Sequence, residues 1–406
     1  MALRKSTRRV GLVALAAATA AGLLVAPAAF AGSFYDPPAT LPARDGDVVR
    51  SESADFYLDP VKLLKVDATV NRVMYKTTDR DGTPIAVTGT VITPRGPWMG
   101  LGERPIVGYA PGTQGLGDHC APSQQMAMGS EYEGPFIEGL LMRGYGIAIT
   151  DYEGLGTPGV HTYVNRVVSG RAVLDSIRAA QRLPEAGLPD NGPVAIAGYS
   201  QGGGAAAAAA EIAPDYAPEL KLKGVAASAI PADLYKVGVN LDGGVYAAFL
   251  GYAAIGLAAG YGIDMAPYLN DRGKALFAEL EQHCTIQAVA KYALTRSETL
   301  TADGKPLTDL LNNNPQLKAV VDEQLMGRVK PRVPVLVTHT VLDDVIPIAV
   351  GRKVVKDWCG LGANVKFETN LSPTHVGGAI AAYPTVFGWL EARFAGVPAL
   401  GNCWAQ

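Results

Sequence analysis

Gly198-Tyr199-Ser200-Gln201-Gly202 is the stretch of this chain best equipped for chemistry. It fits the G-x-S-x-G pattern, in which a serine rides on a strained turn from strand to helix. Pro193 to Ala197 is a short apolar run that reads as a buried strand, and Gly203-Gly204 with six alanines reads as the start of a helix. Glycines on both sides of the serine let strand and helix approach closely. The main-chain amide of Gln201 then points to where a tetrahedral oxyanion would form.

A serine hydroxyl attacks an ester only when a neighbouring imidazole takes its proton. Where an acid orients that imidazole, the order on this type of scaffold is Ser, Asp/Glu, His. The chain has five histidines: His119, His161, His283, His339 and His375. Val333 to Thr338 reads as a late strand and runs into His339-Thr340-Val341-Leu342-Asp343-Asp344. Asp343 leaves that strand first, which makes it the expected acid, with Asp344 as the adjacent alternative. Only His375 follows, on the segment Ser372-Pro373-Thr374-His375, read as a loop beyond a strand at Asn364–Thr369. The expected catalytic set is therefore Ser200 as nucleophile, Asp343 as acid and His375 as base. His339, at a strand end, is expected in the core or under the site. His161 is expected to be structural. His119 and His283 each neighbour a cysteine without zinc spacing, so no metal is expected.

These residues need a scaffold. Segments 105–109, 145–150, 193–197 and 222–228 read as strands, with helices at 136–143 and 163–183 between them. This alternation implies an α/β fold with a mainly parallel sheet and flanking helices. The stretch between Ser200 and Asp343 far exceeds one helix and one strand, so residues about 232–325 are expected to form an inserted helical cap. The core then takes about 60–231 and 326–406. Within the insertion, Gly243 to Gly262 carries no charge. It could be a membrane span, a buried helix or an apolar wall over the site, and its six glycines argue against a stiff span.

Arg4, Lys5, Arg8 and Arg9 precede an uncharged run from Val10 to Ala26, and Ala29-Phe30-Ala31 fits a cleavage site. Residues 1–31 are expected to be a removable secretory signal, and the mature chain, 32–406, to be secreted and extracellular. Four cysteines in an exported chain imply two disulfides, with three pairings open. A net charge of −3 with only 18% charged residues argues against nucleic acid as a partner, which requires a basic face.

Several stretches together resemble the secretory lipase family. They are Cys120-Ala121-Pro122-Ser123, Asp151-Tyr152-Glu153-Gly154-Leu155-Gly156, the elbow, Asp343-Asp344-Val345-Ile346-Pro347, Thr374-His375 and Trp389 to Gly396 with Cys403. The resemblance implies an α/β-hydrolase fold with an inserted helical cap and hydrolysis of acyl esters such as triacylglycerols. It implies the same Ser200, Asp343 and His375, and the disulfides Cys120–Cys284 and Cys359–Cys403. It implies an oxyanion hole of Gln201 and the loop carrying Gln114. Gln114 stands where the family's yeast lipase has an aspartate, leaving open whether its side chain or only its amide donates. No cofactor is expected. The expected partners are a lipid or ester substrate and transient contact with lipid surfaces, with no transmembrane segment in the mature chain. A short-chain carboxylesterase or acyltransferase is the competing enzyme reading. A secreted, non-catalytic binding protein on a hydrolase fold is the competing reading of another class.

Overall fold

The computed structural model describes residues 33–406. The expected export signal, residues 1–31, lies outside the described residues. From Tyr35 to Gln406 the chain forms one compact unit.

Its frame is a nine-stranded sheet in the order β1-β2-β3-β5-β4-β6-β7-β8-β9. Three strands open it: β1 (Val48–Ser53), β2 (Ala68–Thr78) and β3 (Pro84–Pro94). They pair antiparallel, and β3 pairs antiparallel with β5. The sheet thus begins at Val48, ahead of the expected start near residue 60. Then come β4 (Ile106–Ala110), α1 (Pro122–Met128), α2 (Gly134–Met142), β5 (Gly146–Thr150) and α3 (Arg166–Gln181). They are followed by β6 (Pro193–Tyr199), α4 (Gln201–Tyr216) and β7 (Lys221–Ser228). β8 (Val335–Leu342), α11 (Ile348–Gly360), β9 (Val365–Pro373) and α12 (Thr374–Phe394) complete the frame. From β5 across to β9 every pairing is parallel.

Side chains alternate across each central strand. Ile106, Val194 and Ile196 face a core shared with α3, α4 and α11, whereas Val107, Tyr109, Ala195 and Ala197 face a second core shared with α2 and α12. Being covered on both faces makes these strands continuous apolar runs, which is why they are legible in the sequence.

The stretch between β7 and β8 is helical: α5 (Leu234–Leu241), α6 (Ala248–Tyr261), α7 (Asp271–Leu280), α8 (Thr285–Tyr292), α9 (Leu307–Asn313) and α10 (Pro315–Glu323). α6 is the uncharged segment. It buries Phe249, Tyr252, Ile255 and Leu257. No helix among the described residues is long and apolar enough to cross a membrane. One disulfide, Cys120–Cys284, ties the start of α8 to the loop before α1, and the other, Cys359–Cys403, ties α11 to the carboxy terminus.

Candidate active site

β6 delivers Ser200 and α4 starts at the next residue. Ser200 has φ 61° and ψ −122°, a backbone state that costs a non-glycine residue about 1–3 kcal/mol. Two hydrogen bonds hold it: the Ser200 amide donates to the Ser228 carbonyl at 3.1 Å, and the Gly204 amide to the Ser200 carbonyl at 2.9 Å. The turn has no room for side chains. A Cβ on Gly202 would stand 2.0 Å from the Ala110 carbonyl oxygen, and one on Gly203 would stand 1.9 Å from that of Ser228. The alanines that follow, Ala205 to Ala210, are all buried, and small side chains there let α4 lie close against α3 and the sheet.

β8 brings the acids. Asp343 is the first residue beyond it, and its side chain is fully buried. One of its oxygens accepts the Val345 and Ile346 amides at 2.9 and 2.7 Å. His375 Nδ1 lies 2.9 and 2.8 Å from the two carboxylate oxygens. Burial pushes the Asp343 carboxyl up. The hydrogen bonds from His339 and His375, the charge of His375 and the Ile346 amide together outweigh it and hold the group well below the usual carboxylate range. Asp344 does something else: it accepts the main-chain N–H of His375 at 2.7 Å.

His375 is the second residue of α12, not a loop residue as its sequence suggests, because β9 runs through Pro373 and turns straight into the helix at Thr374. That turn puts Thr374 at φ 63°. The Tyr199 hydroxyl donates to the His375 carbonyl at 2.8 Å, and the two rings sit 4.8 Å apart. With Nδ1–H donated to Asp343, Nε2 is the nitrogen able to accept a proton. It is buried and makes no hydrogen bond. Ser200 and His375 line the same cavity.

Three of the four other histidines lie close to the site or to a disulfide. His339 is buried beneath the site, with Nε2 2.9 Å from the Ile346 carbonyl and 3.4 Å from Asp343. His161 sits under the elbow. It donates from Nδ1 to the Glu153 carbonyl and accepts from Gln201 Nε2 at 3.1 Å. Burial lowers its pKa to about 4, so it stays neutral. His119 lies beside Cys120 and Cys284, but the two sulfurs are bonded to each other and offer no thiolate to a metal.

Facing Ser200 from β4 is the loop Gly112-Thr113-Gln114. Gln114 is buried and its side chain turns away from the cavity. Its Nε2 donates to Glu131 at 2.9 Å, and its Oε1 accepts from Gln125 at 2.8 Å. Its side-chain amide is thus fully engaged away from Ser200. The Gln201 amide opens α4 and so has no partner within the helix. Glu131 and Glu133 were not anticipated, because acids beside a Gly-Pro step read as a solvated loop. Two acids flanking one tyrosine just before an apolar helix were the available signal.

The cavity over Ser200 has a volume of about 590 Å³. Phe136, Tyr383 and Ala379 wall it from the sheet side, and Phe249, Ile286 and Val289 from the helical insertion. That size and apolar lining suit a small-molecule site. Ile286, Val376 and Ile380 stand at its rim and are 72%, 54% and 62% exposed.

A mainly parallel sheet with helices on both faces, a serine on a strand–helix elbow and an inserted helical segment define an α/β-hydrolase. Residues 120–402 match the family described as secretory lipase, and the chain belongs to that family. Lipase 10 of Candida albicans is 28% identical over 400 residues, covering 91% of this chain and 82% of that protein. A probable inactive lipase of Mycobacterium tuberculosis is 30% identical over 384 residues, covering 90% and 82%. The closed state of Candida antarctica lipase A superposes with a TM-score of 0.75 at 24% identity, covering 87% of this chain and 83% of that one. The rice cell wall degrading esterase LipA of Xanthomonas oryzae gives 0.69 at 19% identity, covering 87% and 97%. Family and fold together make this chain a lipase- or esterase-type hydrolase.

Proposed function

We propose that the protein is a secreted lipase that hydrolyses acyl esters, triacylglycerols among them, through a covalent acyl-enzyme on Ser200. His375 Nε2 takes the Ser200 proton as Oγ bonds to the ester carbonyl carbon. Asp343 holds the ring in the Nδ1–H tautomer and stabilises the cation. The main-chain amides of Gln201 and Gln114 bind the oxyanion, each worth on the order of 3 kcal/mol. The carbon–oxygen bond to the alcohol breaks and His375 returns the proton to the leaving oxygen. Water then attacks the acyl-enzyme with the same base and frees the acid. The helices at 232–325 form a cap over this chemistry, and the apolar cavity beneath it takes the acyl chain. The exposed rim of Ile286, Val376 and Ile380 touches the lipid phase.

The observation that carries this reading is the Asp343–His375 pair, which leaves Nε2 unbonded in the cavity that Ser200 lines. Catalytic hydrogen bonds often tighten only with substrate present. A catalytically silent protein is the second reading. It is favoured by the absence of a hydrogen bond between Ser200 and His375 and by the name of the tuberculosis relative. A fluorophosphonate decides between them. Labelling of Ser200 in folded protein, with hydrolysis of tributyrin and triolein emulsions abolished in Ser200→Ala, is the expected result. No adduct on folded wild type would overturn the enzymatic reading, and activity confined to short acyl groups would overturn the lipase.

A further inference from the structure

Two carboxyl groups that the hydrolytic steps do not use lie buried behind the loop facing Ser200. Glu131 and Glu133 flank Tyr132 just before α2. Glu133 Oε2 accepts the Gly112 amide at 2.8 Å and Gln114 Nε2 at 3.4 Å. Glu131 Oε1 accepts the same Nε2 at 2.9 Å. The Tyr132 hydroxyl donates to the Thr113 carbonyl at 3.0 Å. Residues 112, 113 and 114 are thus each held from the 131–133 turn. The fit is close: a Cβ on Gly112 would lie 2.7 Å from the Tyr132 hydroxyl and 3.2 Å from Glu133 Oε1. Glu133 also lines the cavity that holds Ser200.

Among the described residues, neither carboxyl forms an ion pair. The other titratable groups that act with it are phenols: Tyr109 of β4, Tyr132 of the same turn, Tyr152 after β5 and Tyr383 of α12. Glu131 Oε2 is buried without a hydrogen-bond partner. The main-chain amides of Glu133 and Gly134 favour a charged Glu131 only in part and do not offset its burial, whereas a neutral acid leaves only a weak dipole. Burial pushes both carboxyls up, Glu131 further still because Glu133 stands beside it. Two carboxyls in one buried site without an ion-pair partner favour keeping a proton.

We propose that Glu131 and Glu133 share one proton and act as positioning residues, suspending the Gly112–Gln114 loop and keeping a second full negative charge from the wall behind the oxyanion. The proposal rests on the serine hydrolase reading above. The tetrahedral intermediate carries one negative charge on oxygen, and a doubly ionised pair would repel it. The substrate ester is neutral and feels little of this, so loss of the shared proton lowers kcat and leaves KM nearly unchanged.

The test measures kcat and KM on p-nitrophenyl butyrate from mildly acidic to alkaline pH for wild type, Glu131→Gln and Glu133→Ala. It adds infrared difference spectra of wild type against Glu131→Gln. Wild-type kcat is expected to fall on the alkaline side at constant KM. Glu131→Gln keeps the bond to Gln114 and mimics the neutral acid, so it turns over up to ~10-fold more slowly but without the alkaline fall. Glu133→Ala loses kcat by roughly 100-fold with little change in KM. The wild-type spectrum carries a protonated-carboxyl band at neutral pH that Glu131→Gln lacks. An alkaline fall that persists in Glu131→Gln, or the absence of that band, overturns the proposal. A wild type that neither turns over nor labels at Ser200 removes the hydrolase reading, while the infrared band still decides the shared proton. A Glu133→Ala chain that fails to fold leaves Glu131→Gln to decide.

Discussion

Asp344 accepts the main-chain N–H of His375 at 2.7 Å, while its neighbour Asp343 grips the ring of the same histidine. Two consecutive acids thus fix one residue at two points. Asp343→Asn is expected to lower kcat by about 10⁴, because an amide no longer selects the productive tautomer. Asp344→Asn keeps an oxygen able to accept the amide, so kcat should fall by less than about tenfold. Steady-state rates of both variants on one soluble ester separate the roles. A greater loss in Asp344→Asn than in Asp343→Asn would return the acid's role to Asp344.

Backbone clearance at the elbow gives a stability prediction. Gly203→Ala puts a methyl 1.9 Å from the Ser228 carbonyl oxygen, a main-chain atom that cannot swing away. A loss of about 1–3 kcal/mol of stability in urea unfolding is expected, as for overpacking in a tight interior, together with loss of Ser200 labelling. Gly360→Ala on α11, where nothing lies within 4 Å, serves as the tolerated control.

The Cys120–Cys284 bond closes 164 positions of chain and lies beside the Gly112–Gln114 loop. The Thr285 amide donates to the Gln114 carbonyl at 2.9 Å, and the Thr285 hydroxyl to that of Thr113 at 2.7 Å. Replacing both cysteines by serine should cost about 2–5 kcal/mol of stability. It should also lower kcat, since the loop loses a fixed neighbour. Replacing Cys359 and Cys403 should destabilise without a comparable fall in kcat. Thermal unfolding and kinetics measured on the same samples check the contrast.

Stability should respond to pH with opposite signs at two places. The folded-state pKa of Asp343 is depressed, so its contribution is present above the unfolded value of about 3.9 and is lost as pH falls through the folded one. Those of Glu131 and Glu133 are raised, so theirs is present below the unfolded value of about 4.3 and is lost as pH rises through the folded ones. Asp343→Asn should flatten the acid side of the unfolding curve, and Glu131→Gln the alkaline side. Urea midpoints across pH for the three proteins give the slopes.

Chain-length preference should follow the cavity. Ala379→Trp places a large ring on the α12 wall, opposite Val289 of α8. Rates on long-chain p-nitrophenyl esters should fall at least ~10-fold relative to the butyrate. An unchanged profile would place the acyl chain elsewhere.

The parts of this fold that the sequence exposes are those buried on both sides. β4 through β8 are apolar runs set off by glycine and proline, and their order, with the elbow between β6 and α4, could be read directly. β2 alternates less clearly, with Asn71, Arg72, Lys76 and three threonines along it, so the antiparallel edge was not foreseen. The loop expected at His375 is a helix start instead, because Pro373 reads as a loop residue when it in fact ends β9 just before α12. The Gln114 side chain and the Glu131–Glu133 pair lay beyond reach for a different reason. Their roles depend on contacts between turns that only the folded chain brings together.

Tyr199 and His375, which touch in the folded protein, are 176 positions apart in the chain. Between them lie the whole helical insertion and the last two strands. Contacts of such long range form late, after the intervening loops have closed. The hydrolytic machinery therefore cannot exist in a nascent or partly folded chain, even though its serine turn is made of residues adjacent in sequence. If the proposed chemistry holds, turnover is a readout of completed folding, and a chain cut short before α12 (Thr374–Phe394) would lack His375.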